Sequence, residues 1–274
     1  VLKLLISIEE LKAKLDLFAA LFGEAKLSQV EFIRPYFRLR VGQNGQRNWL
    51  PDKGLLGEQL ADEQTDSSLR LGSLKIEDGI VEYSDEQSRH SWQLTAVNAQ
   101  VNWPKTDATA KLNMESVWNG EIIGVSASFA DPVALLRGGV STVSVSINSK
   151  PLTLTLDGES NSDIGSTIGK FSLNTPSPKR LIDWLGWNLP VAGMVGAFSI
   201  TGDADFRDDN LEFQEATVSI DEHQGTGRLQ LARQEEQIFA ITGTLAFKSI
   251  ELPDLQSLLV PAGDNAEETA RLNL

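Results

Sequence analysis

The chain has 274 residues, and 24 Lys and Arg against 38 Asp and Glu give it a formal charge of −14. That balance argues against nucleic acid, whose phosphate backbone repels an acidic protein, and against a basic, headgroup-binding patch. The absence of Cys excludes disulfides, Cys-based zinc sites and thiol nucleophiles, and 41% hydrophobic content takes the chain out of the disordered class.

In chain order, residues 1–10 are apolar but fall short of the ~20 residues of a membrane span. Lys3 interrupts them, and they lack a basic leader and an initiating Met, so any anchor would lie before residue 1. Leu11, Leu15, Phe18 and Phe22 fit a helix, while Leu11, Ala13, Leu15 and Leu17 alternate as a strand does. Phe18 to Phe22, stopped by Gly23, predicts a short helix. Residues 51–68 are polar and turn-rich and read as an insertion.

Alternation then dominates. Leu69 with Leu71, Leu74 with Ile76, the run Val143, Val145, Ile147 and the run Leu152, Leu154, Leu156 each place every second side chain on one face. The same period recurs in Phe198, Ile200, Gly202, Ala204 and Phe206, and in the pairs Leu211–Phe213, Val218–Ile220, Leu229–Leu231 and Leu245–Phe247. Turn signals punctuate these runs at 77–79, 119–120, 157–158, 208–210 and 224–227, and 157–168 reads as a second linker. The pattern predicts a mainly β protein built as an antiparallel meander, with few helices. One helix is expected over 178–185, with Ser177 as cap, Pro178 at its first position and Gly186 as stop. Another is expected over 253–260 before Pro261, and 263–274 is a polar tail.

The catalytic inventory is sparse. His90 and His223 lie far apart with no metal-ligand spacing. Ser and Thr occupy the polar positions of alternating strands, and no nucleophile elbow or phosphate-binding glycine loop is present. Paired acids such as Asp203 with Asp205, or Asp208 with Asp209, are accounted for by a solvated face rather than glycoside chemistry. Trp49, Trp92, Trp103, Trp118, Trp184 and Trp187 would suit a sugar-stacking platform, but packing across pleated strands accounts for them. No enzymatic activity, metal or cofactor is expected.

Four stretches carry a resemblance. Residues 17–40, with Phe32-Ile-Arg-Pro-Tyr-Phe-Arg-Leu-Arg40, are followed by Asn44-Gly-Gln-Arg-Asn-Trp49. Residues 71–85 hold Asp78-Gly79 between apolar strands, and 173–186 hold Thr175-Pro-Ser-Pro178 before the helix. In this order they resemble the AsmA family over about residues 1–260. The resemblance implies a mainly β fold, a long curved antiparallel sheet forming an open apolar groove with a few short helices. It makes 1–262 one AsmA-like β-groove domain, with an insertion at about 51–68 and the tail at 263–274. It further implies a periplasmic protein of a Gram-negative envelope, held to the inner membrane by an anchor helix upstream, with an architecture related to TamB and the bridge-like lipid transfer proteins.

Periodicity alone serves a closed sandwich and an open groove equally; the resemblance selects the groove. Its expected occupants are phospholipid acyl chains moving between inner and outer membranes. The candidate lining is Leu71, Ile76, Val143, Val145, Ile147, Leu152, Leu154, Leu156, Phe198, Ile200, Leu229, Leu231, Leu245 and Phe247. The rival reading is a non-enzymatic assembly or scaffold factor whose strand edge pairs with outer-membrane or other envelope proteins. A third reading, a carbohydrate-active β-helix enzyme, would need a convergent carboxylate or histidine cluster, and the fixed coil repeat that would favour it is absent.

Overall fold

Segments that alternate apolar with Ser, Thr, Asn and charged residues form strands, because each pleat sends successive side chains to opposite faces. The computed structural model describes residues 6–7, 9–15, 27–48, 72–105, 107–187, 196–207, 210–235 and 238–247. They are mainly β, in open, curled sheet that does not close on itself, with two short helices. The expected short helix at 18–22, the insertion at 51–68, the helix over 253–260 and the tail lie outside the described residues.

The chain divides into two compact units, one of residues 1–150 with 154–169 and one of residues 151–153 with 170–274. The first holds β1 (Ile6–Ser7), β2 (Glu10–Leu15), β3 (Leu27–Ile33), β4 (Tyr36–Val41), β5 (Ser73–Asp85), β6 (Ser91–Asn102), β7 (Ala110–Trp118), β8 (Glu121–Phe129), helix α1 (Pro132–Leu136), β9 (Val140–Ser149) and β10 (Thr153–Asn161). Strand β11 (Ser166–Thr175) begins in the first unit and ends in the second. The second unit adds helix α2 (Pro178–Leu185), β12 (Phe198–Arg207), β13 (Asn210–Ile220), β14 (His223–Glu235) and β15 (Ile238–Phe247).

In the first unit β5 to β10 pair in sequence order, a meander. Strands β3 and β4 both run parallel to β5, β3 along its first half and β4 along its second. The break between them is the kink at Arg34-Pro35. Three non-glycine residues with left-handed backbone align there across the sheet: Arg34 (φ 48), Asp78 (φ 52) and Ala96 (φ 48). Each such conformation costs about 1–2 kcal/mol, and the surroundings hold it in place. Arg34 donates its N–H to Glu77 O (2.8 Å), Ile80 donates to Pro35 O (2.8 Å), and Asp78 donates to Asn98 Oδ1 (3.2 Å). The Arg34 guanidinium grips Glu9 through two bonds of 2.5 and 2.7 Å, and that bond holds the Glu9 carboxyl below the usual carboxylate range.

The Asp78-Gly79 pair is thus not the tip of a hairpin, as the sequence predicts, but a bulge inside β5. Two further turn signals also fall inside strands, because their glycines serve close approach rather than chain reversal. Gly158 in β10 and Gly169 in β11 face each other so closely that a Cβ on either would strike the opposite backbone. In β14, a Cβ on Gly225 would meet the Phe247 ring, and one on Gly227 would meet Thr244 O. The supposed linker over 157–168 is therefore mostly strand, with its turn at 162–165. Asn119 (φ 45) and Gly120 (φ 81) do form the tight β7–β8 hairpin expected of Asn-Gly.

Helix α2 matches its signals: the Ser177 side chain accepts from Arg180 N at 3.3 Å, and Gly186 closes it with φ 69. It buries Pro178, Leu181, Ile182 and Trp184. Helix α1 has only five residues, too few to show a period, yet Asp131 caps it and Pro132 opens it. In the second unit Phe171 meets Phe206 and Phe213 edge-on at centroid distances of 5.7 and 5.5 Å, and Phe213 is 2% exposed.

Phe213→Ala is therefore expected to cost roughly 3–5 kcal/mol in urea unfolding. Gly158→Ala is expected to lose roughly 1–3 kcal/mol through overpacking against the β11 backbone. Equal denaturation midpoints for Gly158→Ala and the parent chain would show that this close approach is not required.

Candidate functional site

Residues directly opposite in a ladder share a face, so the registers show where the apolar side chains gather. In the first unit one row runs Val30, Leu74, Val101, Leu112, Ala127, Val145 across β3 and β5 to β9. The next runs Phe32, Ile76, Ala99, Met114, Val125, Ile147, and a shorter one runs Ala110, Phe129, Val143. Beyond the kink the same face carries Phe37, Val81 and Leu94, then Leu39, Tyr83 and Trp92. Tyr83 and Trp92 stack at 5.1 Å, and burial raises the Tyr83 phenol above its ordinary pKa.

The second unit repeats the arrangement. Its rows are Phe206, Leu211, Leu231, Ile241; Ala204, Phe213, Leu229, Gly243; Gly202, Ala216, Gly227, Leu245; and Ile200, Val218, Gly225, Phe247. Phe198 and Ile220 add a further rung that ends on His223.

None of these rows carries a carboxylate, Lys or Arg. Val97, Ala99, Ile123 and Val143 are buried, while Leu112, Met114, Val125, Val145 and Ile147 keep part of their surface. The opposite face is polar. There Lys75 lies between Glu31 (2.6 Å) and Glu77 (3.2 Å), and its hydrogen bonds to them raise the ammonium pKa. Gln100, Asn113, Ser126 and Ser146 continue its row.

Of the sequence-derived lining residues, Ile76, Val143, Val145 and Ile147 share one face by register. Ser144 Oγ donates to Asp157 Oδ1 at 2.5 Å on the polar side, so Leu154 and Leu156, three and one positions from Asp157, lie on the apolar side with them. Phe198, Ile200, Leu229, Leu231, Leu245 and Phe247 share one face of the second unit. Leu152 precedes β10 rather than belonging to it, and is 7% exposed. Leu71 lies outside the described residues.

The sequence reading passed over Leu112, Met114, Val125, Ala127 and Phe129. Their alternation was legible, but Ala and Met at lining positions weaken the contrast with the polar positions between them.

His90 is exposed beside the β5–β6 turn, and His223 stands at the start of β14. The described residues contain no group of three or more His, Asp or Glu side chains able to hold a metal. Trp92 packs on Tyr83 and Trp184 is buried in α2, whereas Trp49 lies outside the described residues. No family model, curated protein or solved structure matches the chain.

Ile122 and Ile123 give a clean test of the register, being adjacent in sequence but 61% and 6% exposed. Ile122→Asp is expected to change stability by no more than about 0.5 kcal/mol. Ile123→Asp buries an unpaired carboxylate and is expected to abolish cooperative folding. Thermal melts of the two variants that coincide would contradict this assignment of faces.

Proposed function

We propose that the apolar face binds phospholipid acyl chains and passes them along the sheet without covalent chemistry. The observation that carries this reading is the continuity of uncharged rows across β3 and β5 to β9, on a face with no second sheet laid over it among the described residues of that unit. Half-exposed aliphatic rows of this kind mark a binding surface or an aggregation hazard. Each methylene removed from water contributes about 0.8 kcal/mol, so ten would gain on the order of 8 kcal/mol before ordering costs. That is ample for a mobile occupant held by no specific bond.

The resemblance to the AsmA family supports the same reading, and with it a periplasmic location, transfer between inner and outer membranes and an upstream anchor. None of the described helices is long and apolar enough to cross a membrane.

The rival scaffold reading draws on β15, which has no strand beyond it in the ladder among the described residues, and on Ile241, which is 56% exposed there. Such an edge offers unpaired backbone groups to a client strand. Native mass spectrometry of the purified chain separates the two, since bound phospholipid favours the groove and a lipid-free protein favours the scaffold.

Val145 and Leu154, both half-buried, test the path. Replacing both by Asp is expected to remove bound lipid while leaving circular dichroism and melting close to normal, because a carboxylate among acyl chains is penalised by several kcal/mol. A folded double variant that still carries lipid would show that these side chains do not line the path. Unfolding would point to a closed core at these positions.

A further inference from the structure

The chain is strongly acidic, yet β4 and the turn after it carry Arg38, Arg40 and Arg47 within ten residues. Arg38 and Arg40 are two positions apart, about 7 Å along the strand and on one face. Opposite them in register on β5 stand Glu82 and Ser84, and beyond those on β6 stand Gln93 and Ser91. Among the described residues Glu82 is therefore the only carboxylate directly facing the two guanidinium groups in the ladder. It is already engaged: the Tyr36 hydroxyl donates to Glu82 Oε2, and Arg38 Nε lies 3.8 Å from the same oxygen. The Tyr36 ring sits 5.1 Å beneath the Arg38 guanidinium carbon, which fixes that fork by cation–π contact.

The backbone beneath is equally fixed. Asn48 Oδ1 accepts from Arg40 N at 2.8 Å, and Asn48 Nδ2 donates to Arg38 O at 2.7 Å.

Against this order, the Nε–H groups of both Arg38 and Arg40 are buried with no acceptor within hydrogen-bond distance, Glu82 Oε2 standing off from Arg38 Nε at 3.8 Å. Leaving a buried donor unmade is costly, more so on a charged group, and two neighbouring cases on one face call for a common cause. The Arg38 side chain is 38% exposed, so its fork remains reachable from solvent. We propose that Arg38 and Arg40 together bind a phosphate or phosphate-ester anion, whose several acceptor oxygens suit two adjacent planar forks.

This site lies on the face opposite the apolar rows. A free phosphate ester would reach it directly, whereas a phospholipid would have to turn its headgroup over the sheet edge. If the lipid is the source, the site rests on and deepens the acyl-chain reading by adding recognition of the phospholipid headgroup.

The experiment follows the arginine Nε–H resonances of the 15N-labelled chain by NMR. The probes are inorganic phosphate, sn-glycerol 3-phosphate, and micelles carrying phosphatidylglycerol or diacylglycerol. Glycerol phosphate is expected to shift two Nε–H resonances that vanish in Arg38→Gln and Arg40→Gln. The double variant is expected to bind at least tenfold more weakly, and Arg40→Lys, which keeps charge but not the fork, should fall between. Phosphatidylglycerol binding more tightly than glycerol phosphate identifies a headgroup as the source; equal binding identifies the soluble ester. Absence of a shift with every phosphate probe, or unchanged binding by a folded double variant, overturns the proposal. Phosphate shifts without uptake of either lipid would uphold this site while removing the acyl-chain reading. Lipid uptake without phosphate shifts would do the reverse.

Discussion

A pleated strand has a side-chain period of two, so a single inserted residue sends every following side chain to the wrong face. The structure depends on how this chain handles that constraint. At the kink the apolar positions change parity, from Phe32 to Phe37 across β3 and β4, from Ile76 to Val81 in β5, and from Val97 to Leu94 in β6. In each strand the change falls where the ladder slips or breaks, so the apolar set stays on one side. Strand β13 does the same between Phe213 and Ala216, where Gln214 and Glu215 form the extra step against Gly202 and Ala204 of β12. The strained backbone at Arg34, Asp78 and Ala96 is thus the local cost of an uninterrupted face.

The consequence for function is a separation of chemistry between faces. Rows such as Phe32 to Ile147 hold no charge, while the reverse side carries Glu31–Lys75–Glu77 and Arg38–Glu82. These exposed ion pairs contribute little to stability, since solvent screens them. They keep that face polar and hydrated, and on the proposed reading this leaves the apolar face to hydrocarbon. Glycine tunes the geometry where strands crowd, at Gly158 against Gly169 and at Gly225 beneath Phe247.

Much of this was legible in the residues. The alternation of Val143 to Ile147, of Phe198 to Phe206 and of Leu229 with Leu231 located strands and their shared faces, and Ser177, Pro178 and Gly186 bounded α2. What misled was the meaning of glycine. Asp78-Gly79, Asp157-Gly158 and the 224–227 segment have turn composition, but a lone sequence does not distinguish a glycine that reverses the chain from one that admits a neighbouring backbone or ring. Parity breaks were present in the sequence too: Leu74 and Ile76 are even positions, and Val81 and Tyr83 are odd. Their alignment with Arg34 and Ala96 depends on strand partners far away in the chain, which local patterns do not carry. The anion site is illegible for the same reason, because the burial of the Arg38 and Arg40 Nε groups without a hydrogen bond emerges only from their surroundings.

The central claim is that the apolar face, and not its reverse, touches acyl chains. The most direct measurement places a photo-crosslinking phenylalanine analogue, in separate chains, at Met114 and Val145 on the apolar rows and at their neighbours Asn113 and Ser144 on the polar side, then irradiates the protein in the presence of phospholipid vesicles. The account predicts phospholipid adducts by mass spectrometry from Met114 and Val145 and none from Asn113 and Ser144. Adducts from all four positions alike, or from the polar pair alone, would contradict it.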